Sequence, residues 1–336
     1  MLIQNRIRQV SHCRSQAIPA SVLESKLPLV MKGLVADWPI VRQGQISIQN
    51  ADVYLRSFYN NLPVTAYYAE SEVNGRIFYN QDLSGFNFKS LSVNLNDVLN
   101  SLLNFVGNGH APTMYVGSTL IDKWLPGFRT ENDILFERMN PLASIWIGNQ
   151  SRIAAHYDFP DNIACVVAGK RRFIVFPPEQ VENLYVGPLD LTPSGQAVSL
   201  VDFHTPDFER YPRFSQALEA AQIAELEPGD AIFIPSMWWH HVESLADYNI
   251  LINYWWRRTP AYLGTPANVL QHALLGIRSL PVEQRQAWQA LFNYYIFDVD
   301  ESTHAHIPEA AKGSLAPIDE KSARQLRAQL LNKLNR

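Results

Sequence analysis

The chain has 336 residues, of which 47% are hydrophobic and 11% aromatic, so it can bury a substantial core and is not of the disordered class. Its formal net charge of −4 provides no general attraction to nucleic acids or anionic membranes, and we expect neither as a partner. The two cysteines, Cys13 and Cys165, lie far apart in the sequence and form no CxxC motif, so neither a disulfide framework nor a thiolate zinc site is supported. No apolar leader and no run of about 18 apolar residues is found, which predicts a cytoplasmic protein without a membrane span.

Residues 1–112 are predicted to form an N-terminal α/β flank. Residues 64–70 and 76–79 alternate apolar and polar side chains around Asn74-Gly75, which predicts a β-hairpin. The other predicted elements, in chain order, are a strand over 29–35, a helix over 52–59 and a helix over 95–105 with Asn94 as its N-cap.

Residues 113–258 are predicted to form an all-β core. Short β-rich runs follow one another here, separated by Pro and Gly turns such as Pro228-Gly229-Asp230. Many short strands with such turns are typical of a sandwich or barrel. The predicted strands are 114–116, 143–148, 153–157, 163–167, 172–176, 231–234 and 250–255.

Residues 259–336 change to helical periodicity, with predicted helices over 267–280, 282–297 and 321–334. Two interpretations fit this region. The helices could cover one end of the barrel, or they could form a self-association surface. The large apolar groups within 282–297 lead us to expect a homodimer through these helices.

The residues with the clearest chemical signal are His156 and Asp158. In a strand, residues two apart point to the same face, so these side chains project together. A histidine from a distant strand would complete two imidazoles and one carboxylate on one face of a metal. His240 and His241 both qualify, and as neighbours on a strand they face opposite sides. Such a triad leaves positions open for a cosubstrate and dioxygen, as non-haem Fe(II) oxygenases require. The structural alternative is a histidine bonded to an aspartate in a packed core.

The sequence around these residues resembles a known family. His156-Tyr157-Asp158 is followed by Gly169-Lys170-Arg171, and then by Trp238-Trp239-His240-His241. This order is similar to the JmjC and cupin-like family of Fe(II)- and 2-oxoglutarate-dependent oxygenases. It is particularly similar to the branch of the asparaginyl hydroxylase that inhibits hypoxia-inducible factor. The resemblance covers roughly residues 27–256. It implies a mainly β fold, a double-stranded β-helix or jelly-roll barrel with N-terminal α/β elements and C-terminal helices.

The resemblance also implies roles for individual residues. It selects His240 over His241 as the third iron ligand, beside His156 and Asp158. The residues that match positions contacting 2-oxoglutarate or lining its pocket are Tyr115, Asn162, Arg171, Asn253 and Trp255. Arg171 is a departure, because most relatives have lysine there, but a guanidinium can also grip a carboxylate. Ile153 is a second departure, because the closest relatives place threonine at that position.

Taken together, the resemblance implies an Fe(II)- and 2-oxoglutarate-dependent dioxygenase that hydroxylates a protein or peptide side chain. Hydroxylation of a small molecule or an RNA base is an alternative. A non-oxygenase metal-binding cupin and an interaction module with a relic barrel are the other classes that fit the sequence.

Overall fold

Fourteen strands form within the part of the chain that the computed structural model describes, residues 3–136 and 139–335. They belong to the first of two compact units, Met1–Trp256, and the second unit is Arg257–Arg336. The strands are β1 (Arg8–Val10), β2 (Leu29–Met31), β3 (Val64–Ala69), β4 (Arg76–Ile77), β5 (Lys89–Val93), β6 (Thr113–Leu120), β7 (Leu142–Gly148), β8 (Ser151–Tyr157), β9 (Asp161–Ala168), β10 (Arg171–Phe176), β11 (Gln222–Leu226), β12 (Ala231–Ile234), β13 (Trp239–Ser244) and β14 (Asn249–Trp256).

The strands build two sheets that face each other. The larger has the order β1-β2-β12-β9-β14-β7-β6-β3-β5, and the smaller has the order β11-β10-β13-β8-β4. One buried apolar cluster contains side chains from both sheets, including Val166 and Leu251 of the larger and Phe173 and Val242 of the smaller. This cluster is the core between the two layers. The predicted mainly β, jelly-roll class is confirmed.

Helices cover the first unit on its outer side. Among the described residues, the helices of the first unit are α1 (Ala20–Leu23), α2 (Pro39–Ile46), α3 (Ile48–Arg56), α4 (Leu95–Phe105), α5 (Ile121–Trp124) and α6 (Phe214–Ala220), and those of the second unit are α7 (Pro266–Gly276), α8 (Val282–Phe292) and α9 (Glu320–Leu334). Apolar residues of α2, α3 and α4 pack with the outer face of the larger sheet, and Phe214 of α6 packs with that of the smaller sheet. Asn94 caps α4 as predicted, because its side chain accepts from the backbone N–H of Asn96.

The predicted hairpin over 64–79 is wrong. β3 pairs with β5 and β6, whereas β4 pairs in parallel with β8 of the other sheet. The turn itself exists, since Asn74 and Gly75 both have positive φ angles, of 48° and 75°. A 3-10 turn over Ser71–Val73 precedes it and directs the chain from one sheet to the other. Alternation of side chains therefore indicated two strands correctly but could not show that they belong to different sheets.

Two predicted elements begin or end elsewhere. The strand predicted over 29–35 ends at Met31, because the chain turns at Gly33, whose φ is 69°. The helix predicted over 52–59 is α3, which begins earlier because Ser47 caps it by accepting from the N–H of Asn50.

The second unit is helical, as expected. α8 continues into a wider π-helical turn over Asn293–Phe297, which together match the helix predicted over 282–297. Leu275 and Phe297 are 77% and 72% exposed. Among the residues that the structure describes, no helix combines the length and the apolar character needed to cross a membrane.

Candidate functional site

Strands β8 and β13 bring the three proposed ligands together. His156 and His240 are direct cross-strand partners, and their ring centroids lie 4.3 Å apart. Asp158 follows the end of β8. One potential ligand atom from each of the three residues lies within 4.8 Å of the others. Two imidazoles and a carboxylate at this spacing can share one metal ion.

Both imidazoles are oriented by their own backbone. His156 Nδ1 lies 2.9 Å from the carbonyl oxygen of Ala154, and His240 Nδ1 lies 3.0 Å from that of Trp238. A protonated Nδ1 donates to these carbonyls and leaves Nε2 as the unprotonated ligand atom. β8 has a β-bulge next to His156, because Ala154 and Ala155 both lie opposite His241 of β13.

Asp158 is held by two hydrogen bonds from other strands and turns. The indole Nε1–H of Trp255 donates to Asp158 Oδ2 over 3.0 Å. The same oxygen lies 3.7 Å from His240 Nε2. The backbone N–H of Met237, at the turn before β13, donates to the carbonyl of Asp158 over 2.9 Å. Trp255 therefore lines the cavity and also orients the carboxylate of Asp158, a proposed metal ligand.

The structure separates His240 from His241. His240 lines the same cavity as His156 and Asp158, and burial lowers its pKa to about 4, so its imidazole is neutral at pH 7. His241 points to the other face of the sheet, where its ring lies 4.5 Å from that of Phe203. Its Nε2 is 3.1 Å from Glu243 Oε1. The geometry agrees with the selection of His240 that the resemblance implied.

Glu243 anchors this outer face of the smaller sheet. Its buried carboxylate receives Arg172 Nη1 at 2.9 Å and lies 2.9 Å from His204 Nε2. Burial opposes ionisation, but His241 and His204 outweigh it and lower the pKa of Glu243 to about 2.

We predict a pH-dependent loss of stability in the E243Q variant. The pKa of Glu243 is lowered on folding, so ionised Glu243 stabilises the protein above its ordinary pKa of 4.5, and this contribution declines as the pH falls toward 2. Urea unfolding of the metal-free protein should show E243Q less stable by roughly 3 kcal/mol at pH 7. The difference should shrink by more than half at about pH 3. E225Q, which removes a more exposed partner of Arg172, is the control and should change little. An equal E243Q effect at both pH values contradicts the prediction.

Arg171 is a buried cation in the same cavity. It is 1% exposed, and its Nε and Nη2 atoms have no hydrogen-bond partner. Burial lowers its pKa to about 10, which leaves it charged at neutral pH. Gly169 allows the turn before β10, because its φ is +72° and a Cβ there would lie 2.3 Å from Asn249 Oδ1. A buried, unpaired guanidinium is costly unless an anion binds it.

The other predicted contacts of 2-oxoglutarate also line this cavity. Tyr115 is buried, which raises the pKa of its hydroxyl well above the ordinary value, while the charge of Arg171 opposes the rise. Asn253 donates from Nδ2 to Asn162 Oδ1 over 2.7 Å, and Asn253 Oδ1 has no partner. Ile153 lines the cavity with an apolar side chain. The structure thus brings all eight predicted site residues to one place, and their roles stay predictions.

The cavity has a volume of about 590 Å³, and part of its wall was missed in the sequence. Tyr67, Phe86 and Phe88 line it from the N-terminal flank. Phe86 and Phe88 precede β5, in a stretch for which the sequence predicted no element. Thr192–Gly195, in the stretch between β10 and β11, also line the cavity.

The residues fit an iron ion and a keto diacid. Two neutral imidazoles and one carboxylate suit a divalent transition metal with open positions. Arg171 offers unpartnered N–H donors to a carboxylate. The buried Oδ1 of Asn253 also has no hydrogen-bond partner. Such orphaned buried groups normally find a partner. An anionic cosubstrate would supply the one that Arg171 lacks.

Comparisons with known proteins point to one family. A family model described as a cupin-like domain matches residues 15–262. Lysine-specific demethylase JMJ31 of Arabidopsis thaliana is 34% identical over 119 residues, which are 34% of this chain and 21% of that protein. tRNA wybutosine-synthesizing protein 5 of Gallus gallus is 37% identical over 106 residues, 32% of this chain and 30% of that protein.

A third relative is HSPB1-associated protein 1 of Rattus norvegicus, which is 33% identical over 115 residues, 34% of this chain and 23% of that protein. The chain therefore spans less than a third of the length of each of these three relatives. The solved structure of E. coli ycfD overlaps 96% of this chain and 69% of its own, but with a TM-score of 0.42 and 15% identity the likeness is too weak to build on.

Proposed function

The chain belongs to the cupin-like domain family, and on this premise we propose that it is an Fe(II)- and 2-oxoglutarate-dependent dioxygenase. Its substrate in this proposal is a side chain of a protein or peptide, which becomes hydroxylated. His156, Asp158 and His240 would hold the iron. Arg171 and Tyr115 would bind the distal carboxylate of 2-oxoglutarate.

The observation that carries the proposal is the unpaired, buried Arg171 in the cavity of the three ligands. A metal site alone does not require a buried cation beside it. A relic barrel would have no reason to keep the cation, because burying it without a partner costs stability. Only a function that brings an anion into this cavity accounts for both features.

Iron, when bound, supplies the redox chemistry with dioxygen, and the protein supplies binding and orientation. In the overall reaction one oxygen atom of O₂ enters a C–H bond of the substrate and the other enters succinate. 2-Oxoglutarate loses CO₂ and is the two-electron donor. The backbone carbonyls of Ala154 and Trp238 keep each imidazole Nε2 free, and Trp255 restrains the Asp158 carboxylate.

A protein or peptide substrate is favoured by two considerations. The net charge of −4 gives no general attraction to a polynucleotide. The resemblance of the motifs to the asparaginyl hydroxylase branch points to a protein side chain, and that narrower resemblance stays a prediction. So do the cytoplasmic location and the homodimer through the C-terminal helices.

The proposal is tested by 2-oxoglutarate turnover. Metal-free protein is loaded anaerobically with Fe(II) and 2-oxoglutarate, O₂ is admitted, and succinate is measured with and without a peptide pool. We expect succinate in both cases and more with peptides. No succinate beyond a D158A control would overturn the proposal, and stimulation by deproteinised tRNA but not by peptides would overturn its substrate class.

We predict that the W255F variant binds divalent metal about tenfold more weakly, because partners that orient a ligand typically contribute that much. The measurement is a Mn(II) titration followed by electron paramagnetic resonance, which needs no turnover. W146F is the matched control: Trp146 lines the same cavity, but its indole nitrogen has no hydrogen-bond partner. Equal affinities in W255F and wild type, or equal losses in both variants, would contradict a positioning role for Trp255.

A further inference from the structure

The cavity contains two chemically different regions. Its buried region holds Arg171, Tyr115 and Asn253, which suit an anion. Its more exposed region holds aromatic rings that are only half-buried, namely Tyr67, Phe86, Phe88, Trp146 and Trp255. Since a cosubstrate would occupy the polar region, the group to be oxidised must meet the aromatic one.

The aromatic rings form two groups, and the ring of Tyr115 joins them by stacking with Tyr67 at 6.3 Å and with Trp146 at 5.8 Å. Phe86 and Phe88 stack with centroids 4.9 Å apart, and Tyr67 meets Phe88 edge-on at 5.1 Å. Trp146 and Trp255 meet edge-on at 5.8 Å. Small, uncharged residues complete this region, among them Ser90, Ser118 and Thr192–Gly195. Such a surface favours apolar or planar groups.

The part of the cavity lining that the structure describes offers no further charged side chain to a substrate. Among its described lining residues, Asp158 is the only one with a carboxyl group and Arg171 the only lysine or arginine, and in the proposed function both are used by iron and 2-oxoglutarate. An ammonium, guanidinium or carboxylate of a substrate would lose water without finding a counter-charge. For a primary ammonium or a guanidinium, losing this water costs more than contact with an aromatic ring returns.

We propose that the group oxidised at this site is an uncharged side chain with an apolar or planar surface, and not a lysine or arginine side chain. This inference rests on the proposed function, which it makes more specific. The charge and the aromatic character of the cavity lining are the grounds for this choice among the side chains of a protein substrate.

The test uses the iron-loaded protein with 2-oxoglutarate and peptide libraries that differ only in one fixed central residue. Succinate above the peptide-free background and hydroxylation by mass spectrometry are measured. Leu, Phe, Asn and Gln libraries should respond at least about tenfold more strongly than Lys, Arg, Asp and Glu libraries, since a 1.4 kcal/mol difference already gives tenfold. A stronger response from a charged library, or an equal response from all of them, overturns the inference.

A pair of variants tests the physical cause. Ser90 is exposed and lines the aromatic region, so S90E adds a carboxylate there and S90Q adds a similar volume without charge. The lysine library should gain at least about threefold in S90E and nothing in S90Q. An unchanged lysine response in S90E contradicts the missing counter-charge as the cause.

These results separate the inference from the function beneath it. Wild-type protein that makes no succinate, with or without peptide, refutes the proposed dioxygenase and the inference with it. Background succinate with no preference among libraries refutes the inference alone.

Discussion

Replacing His240 with alanine is expected to abolish metal binding and 2-oxoglutarate turnover, whereas the H241A variant is expected to keep both. His240 shares a cavity with His156 and Asp158, while His241 lies on the opposite face of the sheet. Loss of a direct ligand should weaken metal binding by more than about a hundredfold, since even indirect supporters of a ligand contribute ten- to a hundredfold. Mn(II) titration and succinate formation measure the two effects.

H241A has a different expected cost. In the wild type the His241 ring packs on Phe203 and its Nε2 lies against Glu243. Removing the ring should therefore lower the free energy of unfolding by roughly 1–3 kcal/mol and lower the unfolding temperature with it. The binding measurements are therefore made well below its unfolding temperature. Equal losses of metal affinity in H240A and H241A would contradict the assignment of the third ligand.

The R171M variant is expected to lose 2-oxoglutarate binding and to gain stability without it. A charge-assisted hydrogen bond contributes about 1.5–3 kcal/mol, so losing two weakens binding by roughly a hundredfold or more. The gain in stability follows because methionine removes a buried cation whose Nε and Nη2 have no partner. Calorimetric titration with 2-oxoglutarate in the presence of Mn(II), and thermal unfolding in its absence, give the two readouts.

Two further variants define the effect of Arg171. R171K keeps the charge but not the two-pronged geometry and should lie between wild type and R171M. K170M removes the neighbouring charge, which pairs with Glu225 and Glu227 at the surface, and should bind 2-oxoglutarate normally. If R171M binds 2-oxoglutarate as wild type does, the carboxylate lies elsewhere. If R171M is less stable than wild type, Arg171 has a structural role.

The barrel was predictable because its strands carry local signals. Continuous apolar runs such as that of β9 and the turns at Pro and Gly indicate strands without knowledge of their partners. The pairing of His156 with His240 depends on contacts between residues 84 positions apart, so only the resemblance could select His240. Residues close in sequence were predicted well, and pairings across sheets were not.

Other parts of the site lay beyond local patterns. Alternation predicts that β8 presents every second residue to one face, yet both Ile153 and His156 line the cavity, because the bulge at Ala154-Ala155 changes the parity. The hydrogen bond from Trp255 to Asp158 joins β14 to the end of β8, and no periodicity reveals it. Phe86 and Phe88 were missed because no element was predicted between residue 79 and the helix at 95, where the structure has β5.

The central claim is that His156, Asp158 and His240 hold one iron ion beside a carboxylate bound by Arg171. A crystal structure with Mn(II), which replaces the oxygen-sensitive iron, and N-oxalylglycine, an unreactive analogue of 2-oxoglutarate, tests it most directly. The expected result is one anomalous peak within bonding distance of all three side chains and an analogue carboxylate on the Arg171 guanidinium. A cation bound elsewhere, or an analogue whose carboxylates avoid Arg171, would contradict it.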